Sequence, residues 1–178
     1  MDELRTLLPR FERLRPADSR QREFNYNFQR FSHFAIANAA YALRDYATAE
    51  RAMSKVLELR AKVPTDTVSD QRERDGERTF MALVLARLGR SEEAQKIVAG
   101  SLKFQRELAA RNRDSAGQRF ELAVTLYVAA VAGLGDANAQ LAEAAAIMQK
   151  LPAEMQALRS VALWQQRIAE ERTRRRGV

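Results

Sequence analysis

Ala86-Arg87-Leu88-Gly89-Arg90-Ser91-Glu92-Glu93-Ala94 is the stretch on which the fold turns. A helical run reaches Leu88, and Gly89 then supplies the left-handed residue that ends a helix. Ser91 is placed as the N-cap of the next helix, with Glu92 and Glu93 complementing the positive end of its dipole. Two other segments share the pattern: Leu43-Arg44-Asp45-Tyr46-x-x-Ala49 and Leu134-Gly135-Asp136-Ala137. From Leu43 to Leu88 is 45 residues, and from Leu88 to Leu134 is 46. A regular period with a helix on each side of every turn predicts stacked helical hairpins, each burying the face its neighbour cannot bury alone.

Composition outside these turns agrees with helix throughout. Alanine (31) and leucine (19) far outnumber Val, Ile and Thr together (21), which favours helix over strand. No period-two alternation is sustained, and no apolar run approaches the roughly 18 residues of a membrane span. The spacing predicts helices at about 2–15, 19–43, 46–62, 70–88, 91–111, 115–133, 137–150 and 153–173. The polar stretch from Thr65 to Gly76 is the only plausible long loop. The whole is expected to be one all-α domain. A capping helix over 1–18 precedes hairpins at 19–64, 66–113 and 114–150, a capping helix over 152–174 follows, and a basic tail closes the chain at 175–178. In the last helix Leu158, Val161, Trp164 and Ile168 form an apolar stripe, extended by Leu151 and Met155, that should cover the third hairpin and bury Trp164 in the core.

The turn residues resemble those of the tetratricopeptide repeat family. Leu88-Gly89-Arg90-Ser91-x-x-Ala94 is similar to that family's helix-turn-helix centre. Leu43-Arg44-Asp45-Tyr46-x-x-Ala49 is similar to its Gly-Asp-Tyr variant, with Arg44 where the glycine stands. Met53 and Leu57, then Val98 and Leu102, fall at the family's apolar packing positions. The pattern departs in places. Gln140 stands where the third small alanine belongs, and His33, Arg78 and Val124 replace the aromatic of the first helix. Ala61 replaces the terminal proline, and each unit is about 11 residues longer than the usual repeat of about 34. HEAT-like repeats have a closer period but lack this turn. The resemblance covers roughly residues 27–150 and implies a TPR-like solenoid, a right-handed superhelix that binds a peptide or protein on its concave face. Carried over residue by residue, the groove would be lined by Phe34, Asn38 and Tyr41, then Thr79, Leu83 and Arg87, then Thr125 and Ala129. Asn38 would grip a peptide amide and Arg87 a carboxylate or phosphate.

Catalytic chemistry finds little purchase. There is no cysteine, so thiolate nucleophiles, disulfides and thiolate metal sites are excluded, and the single histidine, His33, cannot supply a His cluster. No phosphate loop, nucleophile elbow or di-metal motif occurs. The expectation is a non-catalytic scaffold with no cofactor and no metal, cytoplasmic if Met1 is the native start. The net charge of +7 is unevenly spread. Residues 1–30 hold seven basic and five acidic side chains, residues 167–178 five and two, and the body 31–166 eighteen and sixteen. A near-neutral body favours a protein partner over nucleic acid. Arg172, Arg174, Arg175 and Arg176 form the one basic cluster, with two readings: a phosphate or RNA contact, or a helix end complementing its own dipole. The aromatics of Phe24–Phe34, with Tyr26 between, suit a homodimer. The chain is alternatively the sensor portion of a larger bacterial regulator or kinase.

Overall fold

The computed structural model describes residues 9–10, 13–14, 17–62 and 67–177. Among them are eight α-helices and no strand. They are α1 (Ser19–Ala42), α2 (Tyr46–Arg60), α3 (Val68–Arg87), α4 (Ser91–Arg111), α5 (Ala116–Ala132), α6 (Ala137–Gln149), α7 (Ala153–Gln156) and α8 (Arg159–Arg175). Most of the expected helix at 2–15, including Leu4, Leu7, Leu8 and Phe11, lies outside the described residues, as do Val63 and Pro64. The chain forms two compact units, residues 1–88 and 89–178. The expected middle hairpin, 66–113, therefore draws one helix from each.

Short side chains set most of the helix starts. Asp18, Asp45, Ser115 and Asp136 each accept a backbone N–H from the first turn they precede. Thr67 and Asp70 form a reciprocal capping box, in which Asp70 N donates to Thr67 Oγ1 at 3.0 Å and Thr67 N donates to Asp70 Oδ2 at 3.2 Å. The Thr67 hydroxyl and amide hold the Asp70 carboxyl below its usual range. That box corrects the expected loop: residues 68–76 are helical. Polar composition misled there because the polar side chains are used, some in capping and some in the ion pairs described below. Ser91 is likewise not the cap. Arg90 occupies that position without a side-chain cap bond, and its Nη2 lies 2.6 Å from Glu93 Oε2.

Two of the three related turns use one backbone device: Arg44 and Gly89, each following a helix-ending leucine, sit in the left-handed region at φ 61° and 81°. The third helix ends two residues before Gly135, at the left-handed Gly133 (φ 77°), and Gly135 is left-handed as well at 73°. Glycine enters that region freely, whereas an L-residue there costs roughly 1–2 kcal/mol. Replacing Arg44 with glycine relieves that strain and adds roughly 0.5–1 kcal/mol of unfolded-chain entropy. The expected result of Arg44→Gly is a net stabilisation of about 0.5–1 kcal/mol, read as a higher midpoint in urea at unchanged m-value.

Within the first unit, α1 packs on α2 and α2 on α3. Small residues permit the close approach: Ala37, Ala40, Ala49 and Ala52 are buried with Met53, Val56 and Leu59. Phe80 from α3 closes this core, meeting Phe34 edge-on at 5.6 Å and Tyr41 at 5.5 Å between ring centres.

In the second unit α5 is buried almost all round, from Leu122 to Ala132, and packs against α4, α6 and α8. Its C-terminal carbonyls, left without helical partners, accept from Gln95 Nε2: Ala132 O at 2.9 Å and Gly133 O at 3.2 Å. The missing third alanine has a structural counterpart. In α6 it is Leu141 that is buried with Ala144 and Met148, while Gln140 turns back and donates to Leu134 O at 2.6 Å.

The expected helix at 153–173 is broken in two. Gln156 Nε2 donates to Leu151 O at 2.7 Å and Gln149 O at 3.2 Å, fastening α7 to the end of α6, and Leu158 adopts extended backbone at ψ 130°. Leu158 consequently leaves the apolar stripe and is exposed. Val161 and Ile168 remain buried; Trp164 is only half-buried, edge-on to the buried Tyr127 at 5.6 Å and under the Arg167 guanidinium at 4.6 Å.

Candidate functional site

The side chains expected to line a groove divide sharply by burial. In the first unit α1 carries Phe34, Asn38 and Tyr41 at the helical spacing that puts them on one face, and α3 brings Arg87 beside them. Arg87 Nε donates to Tyr41 Oη at 3.3 Å. Phe34, Asn38 and Arg87 are half-buried, each with part of its surface open to a ligand. The Asn38 amide group donates to Phe34 O at 2.9 Å, one turn back along its own helix. That bond fixes the rotamer and leaves the side-chain carbonyl oxygen as the acceptor toward solvent. Tyr41 is buried through its ring, which meets Tyr46 at a 55° tilt with 5.4 Å between ring centres.

Thr79, Leu83 and Thr125 do not belong to this surface. Leu83 is wholly enclosed, Thr79 is buried with its hydroxyl lacking a hydrogen-bond partner, and Thr125 donates to Glu121 O at 2.9 Å within α5. Ala129 is buried as well. All four are core residues of their own units. The carry-over by repeat position failed here because it assigns a face from register, and register does not say which positions a neighbouring side chain covers.

The feature that sequence reading missed lies at the other end of the same unit. Arg30 on α1 and Arg60 at the end of α2 converge on Glu73 and Glu77 of α3. Arg30 pairs with Glu77, and its Nη2 lies 3.2 Å from Glu73 Oε2. Arg60 Nε lies 3.1 Å from Glu77 Oε2, and its Nη2 lies 2.6 Å from Glu73 Oε2. Arg30, Arg60 and Glu77 are all buried; only Glu73 reaches water. Burial pulls the Arg60 pKa down, but the hydrogen bonds and charges of Glu77 and Glu73 outweigh it, so its net shift is upward. Two guanidinium groups and two carboxylates thus cancel inside the fold and tie three helices together. A signal existed in the sequence: Glu73 and Glu77 are four apart on one helix face, but nothing local says that their partners are 13 to 47 residues upstream.

The C-terminal arginines are partly spoken for. Glu171 is buried and pairs with both Arg174 and Arg175; Arg175 Nε lies 2.9 Å away, and Arg175 Nη2 donates to Ala130 O at 2.8 Å. Arg175 therefore pins α8 onto α5. Arg172 is half-buried and Arg176 exposed.

Among the described residues no group of three or more His, Asp or Glu side chains is placed to hold a metal ion, and no helix is long and apolar enough to cross a membrane. No protein-family model, curated protein or solved structure matches the chain.

Proposed function

We propose that this chain is a non-catalytic interaction scaffold of tetratricopeptide-like type. It takes a peptide or a segment of a partner protein against the α1/α3 face of its first unit. The observation that carries the reading is the recurrence of a helix end closed by a left-handed residue at Arg44, Gly89 and Gly133, at spacings of 45 and 44 residues. Repetition of a helix-turn-helix unit builds binding surface rather than a single reactive centre. The contact residues are Phe34, Asn38 and Arg87, with the buried Tyr41 holding Arg87 in place. Phe34 offers an aromatic edge, Asn38 an acceptor for a peptide N–H, and the Arg87–Tyr41 pair a guanidinium held in place for a carboxylate.

The test is a pull-down with the full chain and the Asn38→Ala/Arg87→Ala double variant. Bound partners should fall at least about tenfold for the double variant, as for loss of two hot-spot contacts of roughly 1 kcal/mol or more. Circular dichroism should be unchanged, because neither side chain is enclosed. Retention of every partner by the double variant removes the assignment of this face.

A further inference from the structure

Helix α3 is formally neutral: Arg72, Arg74, Arg78 and Arg87 stand against Asp70, Glu73, Asp75 and Glu77. The fold does not let these charges balance one another. Glu73 and Glu77 pair with Arg30 of α1 and Arg60 of α2, and Asp70 closes the capping box with Thr67. Three of the four carboxylates are thereby committed to groups other than the arginines of α3, and only Asp75 is left for those. Gln71, Arg74 and Arg78 follow one another at steps of three and four, which sets them along one stripe of the helix, and all three are exposed. Arg74 and Arg78 form no ion pair and no hydrogen bond among the described residues. Like charges one turn apart repel, so the pair weakens the helix it stands on. In sequence, residues 70–78 are acidic by one, with four carboxylates to three arginines. Pairing with α1 and α2 is what turns the outer stripe basic.

We propose that Arg74 and Arg78 dock an acidic helical segment of a partner protein, one with carboxylates at positions i and i+4. The spacing is the same on both sides of such a contact. Residues four apart on a helix are separated by about 6 Å, so each guanidinium meets one carboxylate, and each pairing can be bidentate. Gln71 adds an amide one turn along the stripe. The stripe favours an acidic protein segment over nucleic acid because it has no aromatic side chain on which a base could stack. The only aromatic of α3, Phe80, is buried in the first unit. This surface is separate from the α1/α3 face. Arg78 precedes Arg87 by nine residues, about two and a half turns, and therefore lies on the opposite side of α3. The proposal is accordingly independent of the peptide-binding reading.

Fluorescence anisotropy with the full chain tests the docking, using labelled alanine-rich helical peptides as probes. The first peptide carries two glutamates at i and i+4, the second carries them at i and i+2, and the third has glutamine in both places. The measurement is made at an ionic strength of about 0.01 M, where the screening length is about 30 Å. The first peptide should bind at least about fivefold more tightly than the second, whose carboxylates lie on different faces, and the third should not bind. Arg74→Gln/Arg78→Gln should lose this preference. Its circular dichroism should match wild type, because both side chains are exposed, and its urea midpoint should not fall, because a like-charge repulsion is removed. Asn38→Ala/Arg87→Ala should bind the first peptide as wild type does, which separates this surface from the α1/α3 face. Equal affinity for the two glutamate spacings, or unchanged binding by Arg74→Gln/Arg78→Gln, overturns the docking. So does tighter binding of a single-stranded trinucleotide, whose two phosphodiesters carry the same charge.

Discussion

Glu77→Ala should destabilise the first unit by roughly 3–5 kcal/mol, the largest effect of any single charged substitution described here. Removing this one carboxylate strands the Arg30 and Arg60 guanidinium groups, both buried, with only the half-exposed Glu73 to face them. The loss is mostly the cost of leaving charge without a counter-charge in a poorly solvated place, and much less the intrinsic worth of the ion pairs. For a unit of this size the melting temperature should fall by at least about 10 °C in calorimetry. A second variant separates the two contributions. Replacing Arg30, Arg60 and Glu77 together by methionine or leucine removes both the pairing and the desolvation cost, so stability should return to near the wild-type value. If the triple variant is as unstable as Glu77→Ala, the side chains matter for their shape and the electrostatic account fails. Glu73→Ala, by contrast, should cost much less, since that carboxylate is half in water.

Leu83→Ala is expected to cost about 2–5 kcal/mol. Leu83 is wholly enclosed on α3, one turn from Phe80 and flanked by the buried Ala82 and Val84. Truncation removes buried apolar surface and leaves a cavity whose lining loses its dispersion contacts. Chemical denaturation reads the loss as a lower midpoint. The same variant distinguishes a core residue from a groove residue. A ligand-lining leucine would cost affinity with little stability, whereas this one should cost stability while the folded fraction keeps its affinity. Leu83→Met, nearly equal in volume, should restore most of the stability.

These two positions also mark where sequence reading stopped. Leu83 is apolar, helical and correctly placed on α3, but the repeat register put it on the ligand face. Its burial follows from neighbouring side chains that the register does not know. Glu73 falls in the stretch Thr65–Gly76 that reads as loop, and Glu77, just beyond it, carries no local sign of its partners Arg30 and Arg60, which lie on two other helices. Residue types alone make two arginines and two glutamates look like solvated surface. Of the expected binding residues, Phe34, Asn38, Tyr41 and Arg87 do meet on one face, since their spacing along α1 and the position of the Leu88 turn fix it. Thr125 belongs to the second unit, and its hydroxyl turns inward to its own helix.

By itself the sequence determined that the chain is helical and where most of its helices stop. Those outcomes depend on local chemistry: alanine-rich composition, acidic and hydroxyl caps, and left-handed residues at the turns. Arg44 is the clearest case, adopting the left-handed conformation of the glycines whose place it takes. Only the tertiary structure decided which polar residues are buried and which aromatics are bare. Burial is set by what packs across from a residue, so Arg30 can be enclosed by carboxylates from another helix while Phe31, the next residue, stays more than half exposed with only the Arg30 guanidinium over its ring at 4.3 Å among the described contacts.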